Sequence, residues 1–108
     1  MQHRDKTILN KILNEIKVAL DMVSSDFEAF NENEMMKRAI CMTVINIGEL
    51  VKALSDDIRT EYKHIPWRSI AGFRDMAAHK YQTLRMIDVH HTVINDFPKL
   101  MADIKEIL

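Results

Sequence analysis

The sequence has few of the residues that disulfide-stabilised or β-rich proteins need. Its 108 residues include one cysteine, two glycines and two prolines. Cys41 alone cannot form an internal disulfide, and a structural zinc site needs three further ligands. Sandwiches and barrels use turn residues far more often, and no Asn-Gly or Asp-Gly hairpin dipeptide occurs. An all-β fold is therefore excluded.

Long apolar runs are also absent. The longest nearly apolar stretch, 39–45, has seven residues and includes Thr43, whereas a membrane-spanning helix needs about 20. Cys41 lies in this stretch and is expected to be a small buried hydrophobic residue. The first ten residues, MQHRDKTILN, are charged early and lack the apolar centre of a signal peptide. We therefore expect a cytoplasmic protein without a membrane segment.

The composition fits one globular domain over residues 1–108. Hydrophobic residues make up 47% and charged residues 29% of the chain, which is unlike a disordered tail. The net charge of −1 argues against general coating of nucleic acids. The charge is uneven, however, because segment 58–85 carries six basic side chains against two acidic ones. A local basic surface is expected in this segment.

Apolar residues at spacings of three and four predict helices in the first half of the chain. One stripe covers residues 4–23 and a second covers 34–54, where Asn31 or Asn33 would be the N-cap. Ser25 begins a Ser-Asp-Phe-Glu pattern typical of a capping box. This pattern predicts a short helix between the two long ones.

Gly48 lies inside the second long helix. Glycine costs about 1 kcal/mol there relative to alanine, so we expect another helix to pack closely against this position. The neighbouring Glu49 would then either approach that helix or remain exposed.

The second half predicts two more long helices. Ser55 can cap a brief helix, and Pro66 suits the first turn of a third long helix. A final pattern covers 86–107, where Pro98 should kink or split the helix and Asp96 could cap its second part. Four main helices with short helical segments between them predict an all-α, up-down bundle.

The pattern Arg74-x4-His79-x-Tyr81 falls within the third long helix. If that helix continues through the pattern, Arg74, Asp75, His79 and Tyr81 span about 160° of one side. Asp75 and His79 would lie one turn apart and could touch. These residue types also occur on the surface of a plain structural bundle, so the pattern alone leaves that alternative open.

The order of motifs along the chain resembles the HepT-like branch of the HEPN superfamily of helical domains. The shared segments are Arg4-Asp5-Lys6, Ile47-Gly48-Glu49, Ile65-Pro66-Trp67-Arg68, Arg74-x4-His79-x-Tyr81 and Asp96-Phe97-Pro98. They cover nearly the whole chain in order. Two positions depart from the usual pattern, since many members have asparagine at Asp75 and glycine or an acidic residue at Lys80.

The resemblance implies a single HepT-like domain that acts as a metal-independent endoribonuclease. Such a protein is usually the toxin of a toxin–antitoxin pair, with RNA as substrate and no cofactor. Its implied partner is a minimal nucleotidyltransferase antitoxin. The resemblance also implies that Arg74 and His79 are catalytic and that Tyr81 accepts AMP from the partner, which silences the toxin.

The chemistry of the residues agrees with cleavage of RNA by its own 2′-hydroxyl. His79 can serve as base or acid near neutral pH, and Arg74 offers a planar fork of donors to phosphate oxygens. Asp75 is expected to support His79 by holding one ring nitrogen. One histidine cannot be both base and acid in a concerted step, so we expect a homodimer that joins two sites in one cleft.

Two other interpretations are open from the sequence alone. Glu61-x-x-His64 matches half of a carboxylate-bundle metal motif. The other cluster, Asp88-x-His90-His91, does not complete it, so no metal site is predicted, and both histidines are expected at the surface or the bundle edge. The second alternative is a HEPN module that binds a nucleotidyltransferase or a nucleotide without cutting RNA.

Overall fold

The computed structural model describes residues 1–108 and contains only helices and their connections. The all-α prediction is therefore confirmed. The first five helices are α1 (His3–Met22), α2 (Phe27–Glu32), α3 (Glu34–Ala53), α4 (Asp56–Glu61) and α5 (Trp67–His79).

The fourth main element is a helix in two parts. Its parts are α6 (Met86–His91) and α7 (Phe97–Ile107), which are joined by a π turn (Thr92–Asp96). A 3₁₀ turn (Tyr81–Thr83) lies between α5 and α6. None of the helices is both long enough and apolar enough to cross a membrane.

A π turn lies directly before Pro98, where the sequence predicts a kink or a split, and the helical backbone continues through it. Proline has no N–H and its ring crowds the carbonyl four residues earlier, which favours the wider i→i+5 pattern of a π turn just before it. Asp96 has helical dihedral angles (φ −87°, ψ −35°) and makes no capping hydrogen bond. The prediction that Asp96 caps a new helix is therefore wrong.

Side-chain caps mark the start of α2, α3 and α4. Asn33 caps α3 by accepting a backbone N–H at 2.9 Å, and Ser55 caps α4 in the same way at 3.3 Å. The cap of α2 is Asp26 rather than Ser25. Pro66 lies at the N-cap of α5, one residue earlier than predicted.

The apolar stripes of α1, α3, α6 and α7 meet in one core. Each fully buried leucine, isoleucine or phenylalanine contributes about 1.5–3 kcal/mol relative to exposure. The core members without accessible surface include Leu9, Ile12, Ile16, Phe30, Ile40, Ile47, Val51, Val89, Val93 and Ile104.

Helix α5 packs against α3 and is less covered than the other long helices. Of its four predicted inward residues, Trp67 and Ala77 are buried, while Ile70 and Phe73 are partly buried. These last two line a groove of about 430 Å³ between α5 and α7. The bundle is therefore less tightly packed between α5 and α7 than around the core formed by the other helices.

A buried polar contact ties the first turn of α1 to the start of α4. Asp5 is only 2% exposed, and its carboxylate accepts both the backbone N–H of Ser55 at 2.9 Å and the Ser55 hydroxyl at 2.6 Å. These hydrogen bonds lower the pKa of Asp5. We call this pair the Asp5–Ser55 contact.

Candidate functional site

Helix α5 presents the motif, but it ends sooner than the sequence predicts. His79 is its last residue, and Lys80 leaves the helical conformation at φ −132°, ψ 34°. Arg74, Asp75 and His79 therefore share one helix, whereas Tyr81 belongs to the 3₁₀ turn that follows. The prediction that all four residues share one helical surface is wrong for Tyr81.

Gly48 allows α5 to approach α3 at the position of Arg74. A Cβ atom on Gly48 would overlap Arg74 Cβ and would lie 2.5 Å from Arg74 Cγ. No real Cβ contact is that short, so any side chain at this position would displace α5 or Arg74. The predicted close approach of a helix at Gly48 is confirmed, and the residue that approaches is the motif arginine.

Two carboxylates fix the guanidinium of Arg74. Its Nε lies 2.6 Å from Glu49 Oε1, and its Nη1 donates a hydrogen bond to Asp75 Oδ1 at 3.1 Å. The Nε–H does not point along the line to Glu49, so this contact is an ion pair without a well-formed hydrogen bond. Nη2 has no partner within the chain, which leaves one guanidinium nitrogen for a ligand.

Asp75 contacts cations rather than the motif histidine. Its Oδ1 accepts a hydrogen bond from Lys52 Nζ at 2.7 Å in addition to the one from Arg74. The Lys52 contact, followed by that with Arg74, lowers the pKa of the Asp75 carboxyl. Asp75 makes no hydrogen bond with His79, so its expected support of the histidine ring is not present. In this structure Asp75 supports Arg74 instead.

His79 is exposed at the carboxyl end of α5, and neither ring nitrogen is hydrogen-bonded within the chain. Both nitrogens are therefore available to a substrate or to a second protein chain. An imidazole with one proton donor and one acceptor can exchange a proton with either.

Tyr81 contacts the first turns of α3. Its hydroxyl donates to Glu34 Oε1 at 3.4 Å, and the guanidinium carbon of Arg38 lies 5.1 Å from the ring centroid. Partial burial, and after it the Glu34 carboxylate, raise the pKa of the Tyr81 phenol. A hydrogen bond from Lys37 lowers the pKa of Glu34 itself.

Two charged residues of α3 contact the motif helix, and Lys52 is the one that belongs to none of the sequence motifs. Glu49, the neighbour of Gly48, approaches the motif helix and is also 53% exposed, so both outcomes open from the sequence are present. Lys52 follows three residues later, so it lies on the same side of α3 as Glu49. Helix spacing around Gly48 is therefore the signal that could have identified Lys52.

The other sequence candidates form no metal site. No three His, Cys, Asp or Glu side chains lie close enough together to hold a metal ion. His90 is buried rather than exposed, and its Nε2–H donates to the Ser24 carbonyl at 2.8 Å. Cys41 is buried as predicted, and burial raises the pKa of its thiol to about 11.

Over most of its length, the chain is similar to proteins that carry provisional ribonuclease names. The profile of the family described as ribonuclease HepT-like matches residues 12–107. A protein of Caldanaerobacter subterraneus subsp. tengcongensis with the provisional name of an RNase is 33% identical over 93% of this chain and 90% of its own length.

Two archaeal relatives extend this similarity. A provisionally named RNase of Methanocaldococcus jannaschii is 32% identical over 100% of this chain and 95% of its own length. A provisionally named ribonuclease HepT of Thermococcus cleftensis is 28% identical over 75% of this chain and 74% of its own length. No solved structure is significantly similar. The protein therefore belongs to the HepT-like ribonuclease family.

Proposed function

We propose that this chain is a metal-independent endoribonuclease toxin that cuts RNA with Arg74 and His79. The active form is a homodimer whose cleft combines two copies of the site. A nucleotidyltransferase antitoxin silences it by transferring AMP to Tyr81.

The observation that carries this proposal is the placement of Arg74. Its side chain is 19% exposed, it is held between Glu49 and Asp75, and it lies over Gly48. A fixed donor whose orientation is set before the substrate arrives needs no reorganisation during the reaction. His79, on the same helix, provides a group that exchanges protons.

The reaction needs three tasks, and the two residues can fill them. The 2′-oxygen attacks the adjacent phosphorus while its proton passes to a base, and the bond from phosphorus to the 5′-oxygen breaks as that oxygen receives a proton from an acid. Imidazole groups of His79 serve as base and acid. Arg74 stabilises the negative charge that develops on the phosphate oxygens.

The homodimer follows from this division of tasks. One His79 supplies the base and the partner subunit's His79 supplies the acid, so that each cleavage uses two protomers. The exposed position of His79 at the end of α5 makes it accessible to a second chain. Two-fold symmetric dimers are the commonest oligomers.

The position of Tyr81 supports its proposed role in the control of the site. Its phenol lies two residues after His79 and against Glu34. An AMP group on this oxygen adds a negatively charged phosphate beside the Glu34 carboxylate, so that contact must break. The added bulk and charge would then compete with RNA phosphates.

One observation favours the second candidate, a HEPN module that binds a nucleotidyltransferase or a nucleotide without cutting RNA. Glu49 and Asp75 already neutralise Arg74, and an occupied guanidinium is a weaker stabiliser of a reacting phosphate. The two candidates differ in one outcome, since a binding module leaves RNA intact.

RNA cleavage in excess EDTA decides between them. Wild type, His79→Ala and Arg74→Ala are incubated with total RNA, with His91→Ala as the control for loss of an exposed histidine. We expect wild type and His91→Ala to cut RNA and His79→Ala to lose at least 10²-fold in rate. Unchanged circular dichroism and oligomeric state would show that the loss is chemical. Cleavage by His79→Ala at the wild-type rate would refute the proposal.

The regulatory part has its own test. Tyr81→Phe should cut RNA as the wild type does and should accept no label from α-labelled ATP in the presence of the nucleotidyltransferase. Label on the Tyr81→Phe protein would show that another residue is the acceptor.

A further inference from the structure

Lys52 differs from most charged side chains of this protein because its ion pair joins two helices. Apart from the contacts of Arg74 and Asp75, every ion pair connects residues three or four apart in sequence. Lys52 reaches from α3 to Asp75 on α5. The lysine is thereby drawn to the motif surface.

One carboxylate oxygen holds the Lys52 ammonium next to the motif arginine. Asp75 Oδ1 lies 2.7 Å from Lys52 Nζ and 3.1 Å from Arg74 Nη1. The two nitrogens therefore lie within about 6 Å of each other. Two oxygens of a single phosphate group can reach donors at such a separation, each with an ordinary hydrogen-bond length of about 2.8 Å.

Lys52 and Asp75 are more exposed to solvent than Arg74. Arg74 is 19% exposed, whereas the Lys52 side chain is 42% exposed and Asp75 is 50% exposed. Lys52 can therefore contact a polyanion from solvent without movement of either helix. Its flexible stem, which normally costs entropy to order, is already held in place by Asp75.

We propose that Lys52 is a second phosphate-binding residue of the site, placed beside Arg74 by the shared Asp75 carboxylate. This inference rests on the proposed function, because it assumes RNA as the ligand. RNA phosphate takes the outward side of the Lys52 ammonium while Asp75 keeps the inward side. Lys52 binds and positions the strand, and His79 remains the group that transfers protons.

A purely structural ion pair predicts something different. Surface pairs contribute about 0–1 kcal/mol to stability, and removal of such a pair lowers the melting temperature slightly, with a smaller effect at high salt. A phosphate contact instead releases counterions, so its loss lowers the slope of log affinity against log salt by about 0.7 for single strands. The slope therefore separates the two roles.

The experiment measures binding of a fluorescein-labelled 12-nucleotide RNA by anisotropy, in EDTA, from 50 to 300 mM KCl. All proteins carry His79→Ala so that the RNA stays intact. The variants are Lys52→Met, Lys52→Arg and, as the matched control, Lys105→Met, an exposed lysine of α7 without an ion pair. Melting temperatures are recorded for each protein.

We expect Lys52→Met to bind RNA about eightfold more weakly at 50 mM salt, with a slope lower by about 0.7. Lys52→Arg should keep the slope, and Lys105→Met should match the parent. An unchanged slope for Lys52→Met, with or without weaker binding, would overturn the role of Lys52 alone. Absence of RNA binding by the parent His79→Ala protein would overturn this inference together with the proposed function.

Discussion

The Asp5–Ser55 contact lies just after the end of α3, and the charge cluster around Arg74 lies against the second half of α3. The two differ in exposure and in the charge of their partners. In the Asp5–Ser55 contact, the carboxylate is 2% exposed and all of its partners are neutral donors of one residue. Around Arg74, the carboxylates of Glu49 and Asp75 are about half exposed, and all of their partners are cations.

The difference shows what each cluster does. A buried carboxylate is stable only when donors satisfy it, so Asp5 and Ser55 fix how the start of α1 meets α4. A charge cluster open to water adds little to stability, yet it keeps two cations oriented where a ligand can reach them. Changes in the first cluster should therefore affect folding, and changes in the second should affect activity.

Among the substitutions that test this comparison, Gly48→Ala should have the largest effect on RNA cleavage. The new methyl group would overlap the Arg74 side chain, and displacement of a catalytic group by about 1 Å can cost 10²-fold in rate. We expect RNA cleavage to fall by about 10²-fold. Stability should fall by less than about 2 kcal/mol, because better helix propensity offsets part of an overpacking cost of about 1–3 kcal/mol.

Gly72→Ala is the matched control for Gly48→Ala. A Cβ atom at Gly72 meets no atom within 4 Å, so alanine should stabilise α5 by roughly 0.5–1 kcal/mol and leave cleavage unchanged. Equal loss of activity in both glycine variants would contradict the assigned role of Gly48.

Ser55→Ala should affect folding without affecting the chemistry. It removes one donor from the buried Asp5 and the N-cap of α4 together. The free energy of unfolding in urea should fall by about 2 kcal/mol. Ser25→Ala, at an exposed serine that is not a cap, should stay within about 0.5 kcal/mol of wild type. Loss of cleavage in folded Ser55→Ala would contradict the division between the two clusters.

Acid titration of stability gives a smaller effect that sharpens the comparison. The pKa of Asp5 is lowered in the folded protein, so the unfolded chain binds a proton first as the pH falls. Its contribution is full above the unfolded pKa of about 3.9 and is lost as the pH falls through the lower folded pKa. Asp5→Asn should therefore be less stable than the wild type at pH 7. Its free energy of unfolding in urea should also change less between pH 5 and pH 2. If the free energy of unfolding of Asp5→Asn depended on pH as strongly as that of the wild type, Asp5 would not be the source of the acid sensitivity.

Most of the architecture can be predicted from local chemistry in the sequence. The apolar stripes locate the long helices, Asn33 and Ser55 identify two caps, and Gly48 predicts a close helix contact. The failures have local causes. The cap of α2 is Asp26, the neighbour of the predicted Ser25. Asp96 does not cap a helix because the backbone before Pro98 continues as a π turn.

The site is less predictable because its contacts join distant parts of the chain. Helical spacing makes Asp75 and His79 neighbours, but Lys52 competes for the same carboxylate from another helix. The end of α5 at His79 is likewise not marked by glycine or proline, so the separation of Tyr81 from the helix has no clear sequence signal. Tertiary packing decides which ion pairs form, and a single sequence does not reveal that packing.

The central claim, that Arg74 and His79 cut RNA through its own 2′-hydroxyl, is tested most directly with two matched oligonucleotides. Wild-type protein in excess EDTA is incubated with an RNA strand and with the same strand fully 2′-O-methylated. The account predicts cleavage of the RNA and an intact methylated strand. Cleavage of the methylated strand, or cleavage of RNA only after a divalent metal is added, would contradict it.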